Sequence, residues 1–397
     1  MKTLAALGAM LLVSCSGSPQ SQASPSAAPT PSGVAPTPAE SKAADFRIRL
    51  DLLLGEHVFI VAKQSSAPTR RAEYTSYLRL LTTNSGDLTD LVRSALGDIV
   101  AGQFESAWNA QNDDLVSYTI GLVTHNTAKA DAAQSALSGT FTRQFSKLLS
   151  DVTQVPSDVV TPLVSRHVLE MKAVLDDRQS QNYQRLYTDI RTAHADAVQV
   201  GDAIAPMIAA RFPDKFPGSA SGPAADLRAT LNIGFQERSY LTTMLTSAVI
   251  GRRPAEQAAV AASLVENTNA LDALFTDALG AGSALSFAHA LAAGNTAVIA
   301  YASAATASSK QRALTQLTDA SVTQISGWLA DITNLAVDSS RQVLQSEVEA
   351  LTTVVDDQRA RAWSRLAADD RSAEAAAEVV ADLIASATIA KLPARFA

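Results

Sequence analysis

The feature that most limits how this chain can fold is a long internal repeat written in helical periodicity. A series of residues returns in the same order after about 180 positions. Asp45-Phe46-Arg47 comes back as Asp226-Leu227-Arg228, and Glu56 comes back as Glu237. Leu81 and Asn84 are matched by Leu264 and Asn267, and Phe104, Asn112 and Tyr118 by Phe287, Asn295 and Tyr301. Ser146, Leu149 and Asp151 match Ser326, Leu329 and Asp331. Asp176-Asp177 matches Asp356-Asp357, and Arg185 matches Arg365. Phe212-Pro213-Asp214-Lys215-Phe216 is matched by Leu392-Pro393-Ala394-Arg395-Phe396. Solenoid units run to only ~20–45 residues, so a period this long describes a whole domain made twice.

Within each copy the apolar spacing is helical. Phe46, Leu50, Leu53, Leu54 and Val61 fall on one face, with Arg47, Arg49, Asp51 and Lys63 elsewhere. Alternating β-branched runs bounded by tight turns are missing, and breaks are expected at Ser66-Ala67-Pro68, Gly97, Gly102, Pro156 and the stretch from Phe212 to Pro217. The predicted fold class is all-α: two tandem, homologous up-down helical bundles of about four to six helices each. They are placed at residues 44–217 and 225–397, with a Pro/Gly/Ser linker at 218–224.

The N-terminus reads as an address. Lys2 precedes an apolar run from Leu4 to Val13, too short to span a bilayer, which takes roughly 20 apolar residues. The run ends in Leu12-Val13-Ser14-Cys15, which resembles the lipobox of bacterial lipoproteins. The resemblance implies a signal peptide at 1–14, cleavage before Cys15 and acylation of its sulfur, so that membrane lipid is a partner. Two or three acyl chains, at about 0.8 kcal/mol per buried methylene, give lasting anchorage. Ser16 in place of Asp resembles an outer-membrane rather than an inner-membrane sorting signal, were the cell Gram-negative. Residues 15–43 are rich in Ser, Pro, Ala and Thr and read as an extended tether.

The Phe/Leu-Pro-x-Lys/Arg-Phe ending of each copy, Glu56-His57-Val58 and the Leu81-x-x-Asn84 region resemble an uncharacterised family of helical bacterial proteins built from such units. The resemblance implies the repeat and carries no activity with it.

Composition narrows the chemistry. A net charge of −7 gives no electrostatic drive towards nucleic acid. With Cys15 the only cysteine, the body has no disulfide, thiolate metal site or thiol nucleophile. The five histidines, His57, His125, His167, His194 and His289, form no Glu-x-x-His or His-Glu-x-x-His motif. Glu56-His57 diverges by about 100° around a helix; His167 and Glu170 share a face at i, i+3. The matching positions are Arg238 for His57, Glu347 for His167 and Ala350 for Glu170, so a histidine site would belong to one half alone. Phosphate loops, dinucleotide fingerprints and nucleophile elbows are absent. Trp108, Trp328, Trp363 and Tyr183 sit at core spacings.

The repeated polar residues are the remaining candidates. Asn112 and Asn295 read as helix caps, as do the Asp-Asp pairs, and Arg185 and Arg365 as ion-pair partners. Glu56 and Glu237, beside the apolar stripe, are the leading ligand-binding candidates, followed by Asp176 and Asp356. The expected function is a lipid-anchored, extracytoplasmic, non-catalytic binding or structural module of the cell envelope, with an envelope protein or small ligand as partner. No catalytic residue and no cofactor is expected; the alternative is a helical bundle that binds a metal ion or a cofactor through carboxylate ligands.

Overall fold

A computed structural model of the chain describes residues 38–67, 72–333 and 335–396. The expected signal segment, Cys15 and the tether up to residue 37 lie outside the described residues. The all-α expectation is met: among the described residues there is no strand.

The helices are α1 (Lys42–Ser66), α2 (Ala72–Leu96), α3 (Asp98–Val123), α4 (Thr127–Ser135), α5 (Thr142–Thr153), α6 (Ser157–Ser180) and α7 (Tyr183–Arg211). They continue as α8 (Pro223–Ile250), α9 (Pro254–Leu279), α10 (Ala281–Ser303), α11 (Ala307–Thr318), α12 (Ile325–Ile332), α13 (Val337–Ala360) and α14 (Trp363–Lys391). A π-helical segment joins α4 to α5 (Ala136–Phe141), and another joins α11 to α12 (Asp319–Gln324).

Local chemistry sets the ends. The hydroxyl of Ser41 accepts from the amide of Ala44 at 3.0 Å, capping α1, and Thr306 closes a capping box with Ser309 on α11. Pro223 and Pro254 open α8 and α9, where a missing N–H costs nothing. Gly97 (φ 85°) and Gly280 (φ 89°) take the left-handed corner between α2 and α3 and between α9 and α10. The break expected at Gly102 does not occur; α3 runs through it, because an isolated glycine costs a helix only ~1 kcal/mol.

α1 and α8 are central helices. α1 is buried all round from Leu50 to Gln64, including Asp51, Glu56, His57 and Lys63. Asp51 and Lys63, expected off the apolar face, are thus inside as well. α1 packs on α7 and α8, α8 on α14, α2 on α14, and α7 on α9. Helices from the N-terminal and C-terminal parts of the chain are therefore packed on one another in one compact unit. Each fully buried Leu, Ile, Val or Phe contributes ~1.5–3 kcal/mol to this core. α10 is the one described helix long and apolar enough to cross a membrane; here it packs on α8, α9 and α11.

The repeated Asp-x-Arg triplets clamp the two central helices reciprocally. Arg47 on α1 donates to Asp202 on α7 (2.6 Å) and Asp226 on α8 (2.5 Å). Arg228 on α8 donates to Asp382 on α14 (2.8 Å) and Asp45 on α1 (2.5 Å). Each arginine thus reaches the aspartate of the other triplet.

Candidate functional site

The four carboxylates singled out from the sequence are not brought together. Glu56 is buried on α1, where its carboxylate accepts from Asn84 (2.8 Å), Tyr240 (3.1 Å) and Arg371 (3.1 Å). Burial and the neighbouring Glu374 push its pKa up to about 7, against the pull of Arg371, Asn84 and Tyr240. Glu237 on α8 has a matching set, accepting from Asn267 (2.7 Å) and Arg191 (2.7 Å). Arg371 lies on α14 and Arg191 on α7, so each ion pair ties one part of the chain to the other. Asp176 accepts from Tyr118 (2.7 Å) and Lys172 (2.5 Å), and Asp356 from Tyr301 (3.2 Å) and Lys310 (2.8 Å), both part-buried. Among the described residues no group of three or more His, Cys, Asp or Glu is placed to hold a metal ion.

The Asp-Asp pairs are not N-terminal caps. Asp177 and Asp357 lie near the C-terminal ends of α6 and α13, where they face Arg185 (3.7 Å) and Arg365. Asn112 and Asn295 are not caps either; they sit inside α3 and α10. Their side chains point into the body, Asn112 to His57 (2.8 Å) and Asn295 to Arg238 (2.7 Å).

A second polar cluster fills the contact between the C-terminal ends of α1 and α8. Lys63 donates to Asp370 (2.7 Å) and Thr243 (2.6 Å), and Tyr77 donates to the same Asp370. Glu256 accepts from Arg178 (2.6 Å), Arg253 (2.5 Å) and Tyr187 (3.0 Å). The gap between them is about 20 Å³, room for little more than a water molecule. These charges pair across helices and hold them together, although Nε of Arg178 and Oδ1 of Asp370 keep no hydrogen-bond partner.

An apolar cavity of about 70 Å³ lies elsewhere, among α1, α2, α3, α5, α6 and α7. Phe46, Leu50, Leu54, Phe104, Phe145 and Ile208 supply much of its wall, and Leu96, Val100, Val152 and Ile204 are half-buried members. Apart from His167 and the indole nitrogen of Trp108, every lining side chain is apolar. Water needs two to four polar partners to be held in a cavity, and this wall does not offer them.

At one wall of this cavity lies a group of rings that the sequence left scattered. His57 and Trp108 have ring centroids 4.9 Å apart, His57 and His167 5.8 Å, and Trp108 and His167 6.2 Å with nearly parallel planes. His167 bonds Gln111 at 2.8 Å rather than its helix neighbour Glu170. Burial holds both imidazoles neutral: it pulls His57 down to about 4, against its bond to Asn112, and His167, next to His57, down to about 3. Glu56-His57 and His167-Glu170 are the pairs that sequence spacing offers, whereas the contact that forms joins His57 to His167 across α1 and α6. The spacing of Trp108 points to packing alone, and Gln111 carries no sequence signal.

The matching region of the C-terminal part differs in a telling way. Counting from Asn84/Asn267 and Leu149/Leu329, Val92 corresponds to Phe275 and Leu148 to Trp328. Phe275, Phe287 and Trp328 pack ring on ring, with centroids 4.6–5.1 Å apart. Val92 and Leu148, at the matching sequence positions, are smaller and line the apolar cavity together with Phe104. In place of His57 stands Arg238, pulled down to about 10 by burial although Glu347 opposes the shift. The cavity it lines is part polar, part apolar, and about 30 Å³.

No protein-family model, curated protein or solved structure matches the chain.

Proposed function

We propose that this protein is a lipid-anchored, extracytoplasmic binding protein, and that the apolar cavity beside His167 holds a small apolar ligand. The observation that carries the reading is that cavity: a wall of apolar side chains with one neutral imidazole, in the part of the chain where smaller residues stand opposite Phe275 and Trp328. Ligand sites are commonly mostly apolar hollows with a few convergent polar groups. The sequence supplies the rest of the proposal. Acylation of Cys15 anchors the chain, the Pro-rich segment spaces the body from the bilayer, and a tandem duplication made two homologous bundles. On this reading one copy kept its hollow and the other filled it.

The alternative, a metal held by Glu56 or Glu237, is less favoured, because each of these carboxylates is already bonded to a guanidinium and an amide. The test is extraction of the protein purified from its native host, followed by mass spectrometry. An apolar compound released by the wild type and missing from Leu148→Trp supports the reading; equal extracts from both variants refute it. Fractionation of Cys15→Ser tests the anchor separately, since that variant is expected to leave the membrane fraction.

A further inference from the structure

Three buried polar atoms at the ring cluster have no hydrogen-bond partner in the protein: Nδ1 of His57, Nε1 of Trp108 and Oε1 of Gln111. Each such group costs ~1–3 kcal/mol when buried unpaired. Trp328 shows the ordinary outcome, its indole N–H being satisfied by the carbonyl of Ser283 at 3.0 Å.

Bond directions can be assigned around the cluster. Ser85 donates to the carbonyl of Leu81 (2.9 Å), so its oxygen accepts from the amide nitrogen of Asn112 (2.8 Å). The remaining oxygen of Asn112 can only accept, so Nε2 of His57 carries the proton and donates to it. Nδ1 of neutral His57 is then a bare lone pair. The Gln111 amide donates to Nε2 of His167, which leaves its own oxygen as an acceptor. The indole of Trp108 can only donate. Trp108 and Gln111 stand at i and i+3 on α3, with the imidazole of His57 against the indole. The orphans are thus one donor and two acceptors on three neighbouring side chains: Trp108 lines the cavity itself, His57 packs against it, and Gln111 is bonded to His167, which also lines the cavity.

From this we infer that the ligand carries an uncharged hydroxyl on its apolar body, which accepts from the indole N–H of Trp108 and donates to Nδ1 of His57 or Oε1 of Gln111. The inference rests on the proposed apolar site. A carboxylate does not suit the pocket: no cation lines the cavity, and two of the three orphans are acceptors that would repel it. A plain hydrocarbon would leave all three orphans buried and unpaired.

Three slender five-carbon probes separate the outcomes: pentan-1-ol, pentane and pentanoate at pH 8, titrated into the full chain and followed by the indole ¹H–¹⁵N resonances. Pentan-1-ol is expected to bind and to move the Trp108 resonance downfield. Trp108→Phe is expected to weaken the alcohol at least tenfold and to change pentane binding less than twofold. Gln111→Met, which keeps the volume, serves as a second variant and should weaken only the alcohol. If pentane binds while the alcohol leaves the Trp108 resonance unmoved, or pentanoate equals the alcohol, the hydroxyl inference is overturned and the apolar site stands. If none of the three binds, the apolar site itself fails.

Discussion

Asp51 meets Asp202 across the contact of α1 with α7, in the position where Asn232 meets Asp382 across the contact of α8 with α14. Asn232 donates its amide to Asp382 at 2.7 Å. Asp51 can do the same for Asp202 only when it is protonated. Burial and the charge of Asp202 push its pKa up to about 9, with Arg47 at 3.7 Å pulling the other way. Gly201 lets the carboxyl come this close, since a Cβ there would lie 1.9 Å from it.

The folded state therefore holds a proton that the unfolded chain gives up near pH 4. Stability from this group is whole at low pH, declines above that value and is lost as the pH rises through about 9. Asp51→Asn is expected to gain ~2 kcal/mol at pH 8 and almost nothing at pH 4. Urea unfolding at the two pH values measures it; an equal gain at both would mean that the proton is not involved.

The acid limb has a different source. His57 and His167 stay neutral in the fold at about 4 and 3, so the unfolded chain takes up protons first, near pH 6.5. Stability should fall as pH drops from about 6.5 towards 4. His57→Gln is expected to flatten this limb, read from thermal melts between pH 4 and 7 against the wild type.

Leu148→Trp places in the N-terminal part the ring that Trp328 supplies in the C-terminal part. It is expected to fill the apolar cavity and stabilise the protein by ~1 kcal/mol, the usual return for cavity filling. A loss of more than ~1 kcal/mol in urea unfolding would show instead that the wall cannot accept the indole, as overpacked cores behave.

Arg371 answers the buried carboxylate of Glu56 and, at 2.5 Å, the half-buried Asp87. Arg371→Met strands Glu56 without its counter-charge and is expected to cost ~3 kcal/mol. Adding Glu56→Gln should recover more than half of that loss, a coupling that a double-mutant cycle reports directly.

Residues 36–217 and 218–397 produced as separate chains should each melt without a cooperative transition. Glu56 and Arg371 would be parted, as would Glu237 and Arg191, and the faces that α1 and α8 bury in each other would meet water. Mixing the two chains should restore one sharp transition; sharp independent melts would show that each part is self-sufficient.

By itself the sequence determined that the body is helical, because apolar spacing is a local property with a local period. It determined most of the breaks as well, since Pro156, Gly97 and the Phe212-Pro213 step act on their own backbone. It marked Glu56, Asn84, Glu237 and Asn267 as matched residues that proved to be bonded in matched pairs. It also marked Arg47 and Arg228, but not that each would take its aspartate from the other triplet. Only the tertiary structure decided that His57, Trp108, Gln111 and His167 meet, since α1, α3 and α6 bring them together by side-chain packing over long stretches of chain, which leaves no trace in local spacing. The cavity beside them was equally illegible: Val92 and Leu148 are ordinary apolar residues until the fold sets them in one wall with residues from five other helical stretches. The states of Asp51, His57 and His167 follow the same rule, because a pKa depends on solvent access and on neighbours, and folding alone assigns both.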